Sequence, residues 1–432
     1  MKYALTHAHV LDGKLDENGQ MPCRYGTVLV EDGVFTSICK KVRITPDYEV
    51  IDLQGGYLMP GLINLHCHLP LSGRPSKPKE KPTDYKKLFD MLSKRRLIMA
   101  AYRKLQEKNV RDLVYSGATT VRTVGGVLDF DRTLRDRVKE GKLDGPRMLV
   151  CNSAISVPGG HFAGSIATEA HNPQEAVHQV RVLSETKPDW IKLMVTGGVM
   201  DASAEGEPGA LRMEPAIIKA ACDEAHRLGY RVAAHVESPA GVRAALENGV
   251  DSIEHGACLD EELVQLFKEK NAMLVTTVSP AVPMALCSEE QNVTNDYGRK
   301  NAKVVLNGIL ECARTCMAEG IPVGLGTDSG CPHTMQYNTW RELLLWTQQL
   351  GVTPACALNA ATENNAKLLG LQDVTGTVEV GKRADFIVSK ENPLENLRTL
   401  ADLQLVCANG KVLKKRKLRK NEEVEKLLDT VM

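Results

Sequence analysis

The chain has 432 residues, 43% hydrophobic and 25% charged, the balance of a folded globular protein with room for one large domain and a smaller one. Lys+Arg and Asp+Glu both number 54, and this zero balance argues against a nucleic-acid or membrane-surface partner held by charge. No run of about 18 apolar residues suggests a membrane span. The opening MKYALTHAHVLDG lacks the basic and apolar segments of a signal peptide. Twelve cysteines lie scattered from Cys23 to Cys407 with no CxxC pair, as expected of reduced thiols in a cytoplasmic protein.

Residues 1–57 alternate short β-type runs (YGTVLVEDGVFTSI, YEVIDL) with DG and GG turn signals. From about residue 58 the texture changes to eight apolar β-type runs separated by amphipathic helical stretches. In order these are LINLHCH, ATTVRTV, RMLVCNSAI, WIKLMV, RVAAHV, DSIEH, AMLVTTV and IPVGLGTD. In EPAIIKAACDEAHRLG, Ile218, Cys222, Ala225 and Leu228 fall on one helical stripe, and glycine follows where the helix should stop. Strands alternating with helices predict an α/β fold with a parallel sheet, and eight such units predict a (β/α)₈ TIM-type barrel over residues 58–372. Short strands return in GTVEVGKRADFIVSK and LQLVCANGKVLKK. Residues 373–415 therefore pair with 1–57 as one small β domain built from both termini. The charged tail, residues 416–432, reads as a solvated terminal helix. Its KKRKLRK run is followed at once by acidic residues and does not suggest a nucleic-acid site.

The chemistry collects at the strand ends. In GLINLHCHLP, His66 and His68 stand two apart, so a strand presents both imidazoles on one face. The fourth run carries Lys192, the fifth His235, the sixth His255, and the eighth ends at Asp328. In a barrel these six residues would meet in one mouth. Imidazoles with a carboxylate suit zinc or a related divalent ion. Lys192 fits such a site only when deprotonated, and its neutral amine can then take up carbon dioxide as a bridging carbamate. The alternative keeps Lys192 as a cation that pairs with a substrate carboxylate.

Together, VIDLQGGYLMPGLINLHCH, SIEHG, GTDSG and GTVEVGKRADFIV resemble the hallmarks of the amidohydrolase superfamily. The resemblance implies a metal-bearing barrel with a flanking β-sandwich, two divalent ions (zinc expected) and a small-molecule substrate. By it, His66, His68 and Asp328 would hold one ion and His235 and His255 the second, with carboxylated Lys192 between them. GGH at 159–161, KLMVTGGVMD at 192–201 and AAHVES at 233–238 resemble the subgroup of prolidase-like dipeptidases, zinc carboxypeptidases and ochratoxin-hydrolysing amidases. The implied activity is amide hydrolysis of dipeptides or N-acyl amino acids in a homo-oligomer, with Asp328 as acid and base. The sequence departs from that subgroup at Glu237, where many members carry a second histidine. His161, Arg122, His333 and Glu237 are the candidate substrate contacts. The rival reading is an imidazolonepropionase-like cyclic amide hydrolase or a deaminase. Such enzymes lack the fourth-strand lysine and carry a glutamate three residues after the fifth-strand histidine, where this chain has Ser238. A non-catalytic scaffold on the same fold is disfavoured because all six ligand-type residues are present.

Overall fold

The computed structural model describes residues 1–75, 87, 91, 94–202, 204–206, 208–288 and 296–432. The N-terminal part supplies β1 (Lys2–Leu11), β2 (Cys23–Glu31), β3 (Val34–Cys39), β4 (Glu49–Asp52) and β5 (Tyr57–Pro60). The central part supplies β6 (Leu62–Cys67), β7 (Ala118–Thr123), β8 (Arg147–Val150), β9 (Ala154–Ser156), β10 (Ala167–Glu169), β11 (Trp190–Met194), β12 (Arg231–Val236), β13 (Ser252–His255), β14 (Met273–Thr276) and β15 (Val323–Leu325). The C-terminal part adds β16 (Phe386–Ser389), β17 (Leu405–Ala408) and β18 (Lys411–Val412). Among the described residues, no helix is long and apolar enough to cross a membrane.

Strands from both ends of the chain share one eight-stranded sheet, ordered β18-β17-β16-β5-β1-β2-β3, with β4 also on β1. The branch has a local cause. A register shift between Leu5 and Ala8, with His7 in the left-handed region at φ 52°, divides β1 into two halves. Residues 3–6 pair with β4 and residues 9–10 with β5. Side chains of both halves meet in a shared core of Leu5, Val28, Phe35, Leu58 and Phe386.

The central strands pair in parallel throughout, as β6-β7-β8 and as β10-β9-β11-β12-β13-β14-β15. Each predicted run contains a strand. The third contains two, because Asn152 turns the chain with φ 57° and hands it from β7, the partner of β8, to β11, the partner of β9. At the other seam, Asn365 joins β6 to β15. Its Nδ2 donates to the carbonyls of Ile63 (2.7 Å) and Leu325 (2.9 Å), and its Oδ1 accepts from the Leu325 amide (3.0 Å). Glycine is required beside this seam, since a Cβ on Gly326 would lie 2.6 Å from the Cβ of His66.

The tail differs from the expectation of a solvated helix. A helix does form over Glu422–Val431, but its charge pattern hides an apolar edge. Val424 and Leu428 are buried against Met335 and Tyr337. Arg341 Nη2 ties the helix down through Glu425 (2.7 Å) and Asp429 (2.9 Å).

Candidate active site

Parallel strands end on one side of the sheets, and there five histidine rings stand in a row. Adjacent centroids are 5.3 Å apart for His68–His66, 4.8 Å for His66–His255, 4.7 Å for His255–His235 and 4.1 Å for His235–His161. His66 and His68 share a face, as alternation along β6 requires. His255 reaches the row differently. It adjoins Glu254 at the end of β13, and its left-handed backbone (φ 73°) turns the ring into the mouth. Asp328 uses the same device at φ 52°. Such conformations cost a non-glycine residue about 1–3 kcal/mol and collect at functional sites.

Each ring of the inner row is held from behind. His66 Nδ1 lies 2.7 Å from Glu254 Oε2, His68 Nδ1 lies 3.0 Å from the Gly125 carbonyl, and His255 Nδ1 lies 2.7 Å from Thr277 Oγ1. In each case Nε2 is left to face the mouth. His235 is reversed, with Nε2 lying 3.3 Å from the Gly197 carbonyl. Burial pushes the pKa of His66, His235 and His255 down, that of His255 to about 4, so these rings are neutral and their lone pairs available near neutral pH.

Asp328 Oδ1 approaches His68 Nε2 (3.2 Å) and His66 Nε2 (3.5 Å), and its Oδ2 accepts from the Cys331 thiol (3.2 Å). Burial raises the Asp328 carboxyl, but the hydrogen bond with His68 and the facing imidazoles hold it well below the usual carboxylate range. Lys192 is buried within β11, and its Nζ has no hydrogen-bond partner. Burial brings its ammonium down to about 8, and the Arg122 guanidinium assists against the opposing pull of Glu254.

The donor set fits a metal. The ligand atoms of His66, His255 and Asp328 all lie within 4.8 Å of one another, and so do those of His235, Glu237 and His255. Imidazole and carboxylate are the ligands zinc accepts. Lys192 Nζ and Glu237 Oε2 are buried here with no partner, an arrangement that is costly unless something polar joins them.

Arg122 is a correction to the sequence-based expectation. It does not face the mouth and is not available to a substrate carboxylate. The side chain is fully buried, with Nε donating to the Leu65 carbonyl (2.8 Å), Nη2 donating to Glu254 Oε1 (2.6 Å) and the guanidinium 4.7 Å from the centre of the Trp190 ring. A charge inside an apolar strand must be paired, and Arg122 finds its partner beneath the histidines. His161 does reach the site. It stacks on His235 at an interplanar angle of 13° and its Nδ1 meets Asp201, which also accepts from the Gly198 amide (3.1 Å). Glu237 also lies there, with its carboxyl raised to about 8 by burial and by the facing Asp328 and Asp201. His333 is buried in the turn after Asp328 with φ 65°, and no described contact joins it to the row. Ser238 caps the helix Pro239–Glu247 by accepting from the Gly241 amide (3.2 Å).

Glu254, Asp201 and Thr277 join the site without standing out as candidates in the sequence. Glu254 had one visible signal, an acid inside an apolar strand. Asp201 closes the KLMVTGGVMD stretch that carries the subgroup resemblance, and Thr277 had no signal.

Residues 57–413 match the Amidohydrolase family. An ochratoxinase of Aspergillus niger is 26% identical over 427 residues, covering 91% of this chain and 84% of the relative. A Bifidobacterium longum structure, provisionally described as a prolidase, superposes with a TM-score of 0.85 at 34% identity, covering 100% of this chain and 98% of that one. A Xaa-Pro dipeptidase with methionine bound in its active site gives a TM-score of 0.81 at 27% identity, covering 96% and 100%. Imidazolonepropionases are also among the curated relatives.

Proposed function

The chain belongs to the amidohydrolase family, and from that premise we propose that it is a binuclear metal-dependent hydrolase cleaving dipeptides or N-acyl amino acids to release a C-terminal amino acid. The observation that carries this reading is the meeting of His66, His68, His235, His255 and Asp328 at one end of parallel strands, with Lys192, two residues deeper in register than His235, acting electrostatically on His66, His235 and His255. On this reading the two parallel sheets make one (β/α)₈ barrel over residues 58–372. Residues 1–57 and 373–415 flank it, and residues 416–432 form the tail. All twelve cysteines are free and seven are buried, which fits a reducing, cytoplasmic setting.

His66, His68 and Asp328 would hold one divalent ion, zinc by preference, and His235 and His255 the other. When bound, two such ions make hydroxide available near neutral pH and polarise the scissile carbonyl. Asp328 is placed to accept the proton of the attacking water and to return it to the leaving amine. The Lys192 side chain, whose proton burial makes easier to lose, is the group to take up carbon dioxide as the free amine, its nitrogen losing a further proton as the N–C bond forms. His161, oriented by Asp201, stands over the mouth where it can meet the substrate's carbonyl or carboxylate.

Two features oppose a mononuclear deaminase or imidazolonepropionase. Lys192 is present, and Ser238 spends its hydroxyl on a helix cap. A panel of Xaa-Xaa dipeptides and N-acyl amino acids, read by amino-acid release, tests the proposal. Turnover of several members supports it, and activity confined to cyclic imides, lactones or aminated bases would sink it.

A further inference from the structure

The ion assigned to His235 and His255 is poorly provided for if Glu237 is left out. Two imidazoles alone would hold it, unless Lys192 has first taken up carbon dioxide. His255 cannot be counted twice, although it lies near both groups of ligand atoms. The first position still has His66, His68 and Asp328 without it. The second then needs a third protein ligand, the number that catalytic zinc sites commonly have.

Glu237 stands where that ligand is wanted. It follows the last residue of β12, so its side chain leaves the strand on the same side as His235, while Val236 points into the core. Its backbone is pinned on both sides. The amide donates to Thr196 Oγ1 (3.1 Å), and the carbonyl packs so closely on Gly209 that a Cβ there would lie 2.3 Å away. The side chain's direction is therefore set by the fold. Its ligand oxygen lies within 4.8 Å of the ligand nitrogens of both His235 and His255. Oε2 is buried with no hydrogen-bond partner, whereas the neighbouring Asp201 is satisfied by His161 and the Gly198 amide. The carboxyl takes a hydrogen bond from the Val199 backbone, but its buried Oε2 keeps no donor, and a cation shared with the two imidazoles would satisfy it.

We propose that Glu237 is a metal ligand, completing a two-histidine, one-carboxylate site with His235 and His255 for the second ion. The position where many members of the subgroup carry a second histidine is then used for metal. The second ion is held without depending on carboxylation of Lys192. This inference rests on the metal-hydrolase reading above, and the test separates the two.

Full-length protein and its Glu237→Gln variant are dialysed against buffered zinc in bicarbonate-free solution, and bound zinc is counted by elemental analysis. Cobalt(II) titration, followed by its visible absorption, reports the ligand set, and melting temperature without metal controls for folding. Glutamine is nearly isosteric, and its amide oxygen can keep the hydrogen bond from the Val199 backbone. The expected result is two zinc ions on the wild-type chain and one on the variant. The second-site affinity should fall more than about tenfold, the least that even an indirect partner of a ligand typically costs, with an altered cobalt spectrum. Equal second-site affinity in both forms would overturn the assignment of Glu237, as would a wild type that gains its second ion only when bicarbonate is added. A wild type that binds no zinc would instead remove the metal-hydrolase reading itself.

Discussion

The two ends of the histidine row are built differently. At the inner end, His66, His68 and His255 sit on strand ends, and each Nδ1 is fixed by a group from another strand or from a strand-end loop. At the outer end, His161 comes from a loop and takes its orientation from Asp201, the last residue of a single helical turn, Val199–Asp201. The inner end is a rigid floor built from the sheet, and the outer end is a rim built on connections. Rigid strands suit a constellation that must hold its geometry, and loops suit contacts that vary with substrate.

If that contrast is real, damage to the floor should cost far more than damage to the rim. Asp328→Asn should have the largest effect. The amide is nearly isosteric and its oxygen can still approach a cation, but it cannot take a proton from the attacking water. kcat should fall by about 10²–10⁴ with fold and most of the metal retained. A variant within about tenfold of wild type at full metal occupancy would take Asp328 out of the mechanism.

Glu254→Gln should come next. The carboxylate accepts from His66, Arg122 and Ser252 at once. Glutamine turns a donor toward His66 Nδ1 and leaves the buried guanidinium without its charge partner. Metal affinity should drop by about 10–100-fold, together with a loss of stability from the unpaired Arg122. A double variant, Glu254→Gln with Arg122→Met, sharpens the point. It should recover melting temperature but not metal affinity. Recovery of both would make the pair purely structural.

Asp201→Asn should have the smallest effect. The hold on His161 is weakened while the retained oxygen can still accept from the Gly198 amide, so KM should rise by a few-fold, within about tenfold, while metal content and melting temperature stay put. A loss of bound metal in this variant would erase the distinction between floor and rim.

The same contrast explains what could be read in the sequence. His66 and His68 were legible because strand alternation is local. Lys192 was legible because a lysine inside WIKLMV is conspicuous. Glu254 stands in the same run as His255, yet its partners His66 and Arg122 lie 188 and 132 residues away, and no spacing rule connects them. For the same reason the sequence alone reads Arg122 as a substrate contact. The missing datum was a partner in another strand. The break at Asn152 hid in an unbroken apolar run because a single left-handed residue leaves little trace in hydropathy. The tail's buried edge was visible at Val424 and Leu428, four residues apart, but was masked by the charges around it.

The central proposal, that the site would hold two divalent ions with a carboxylated Lys192 among their ligands, is tested most directly on full-length protein purified in the presence of bicarbonate and without chelators. Elemental analysis counts the ions, and a mass spectrum under native conditions shows the state of Lys192. The account predicts two divalent ions per chain and one carbon dioxide on Lys192. One ion or fewer, with an unmodified lysine, would contradict it.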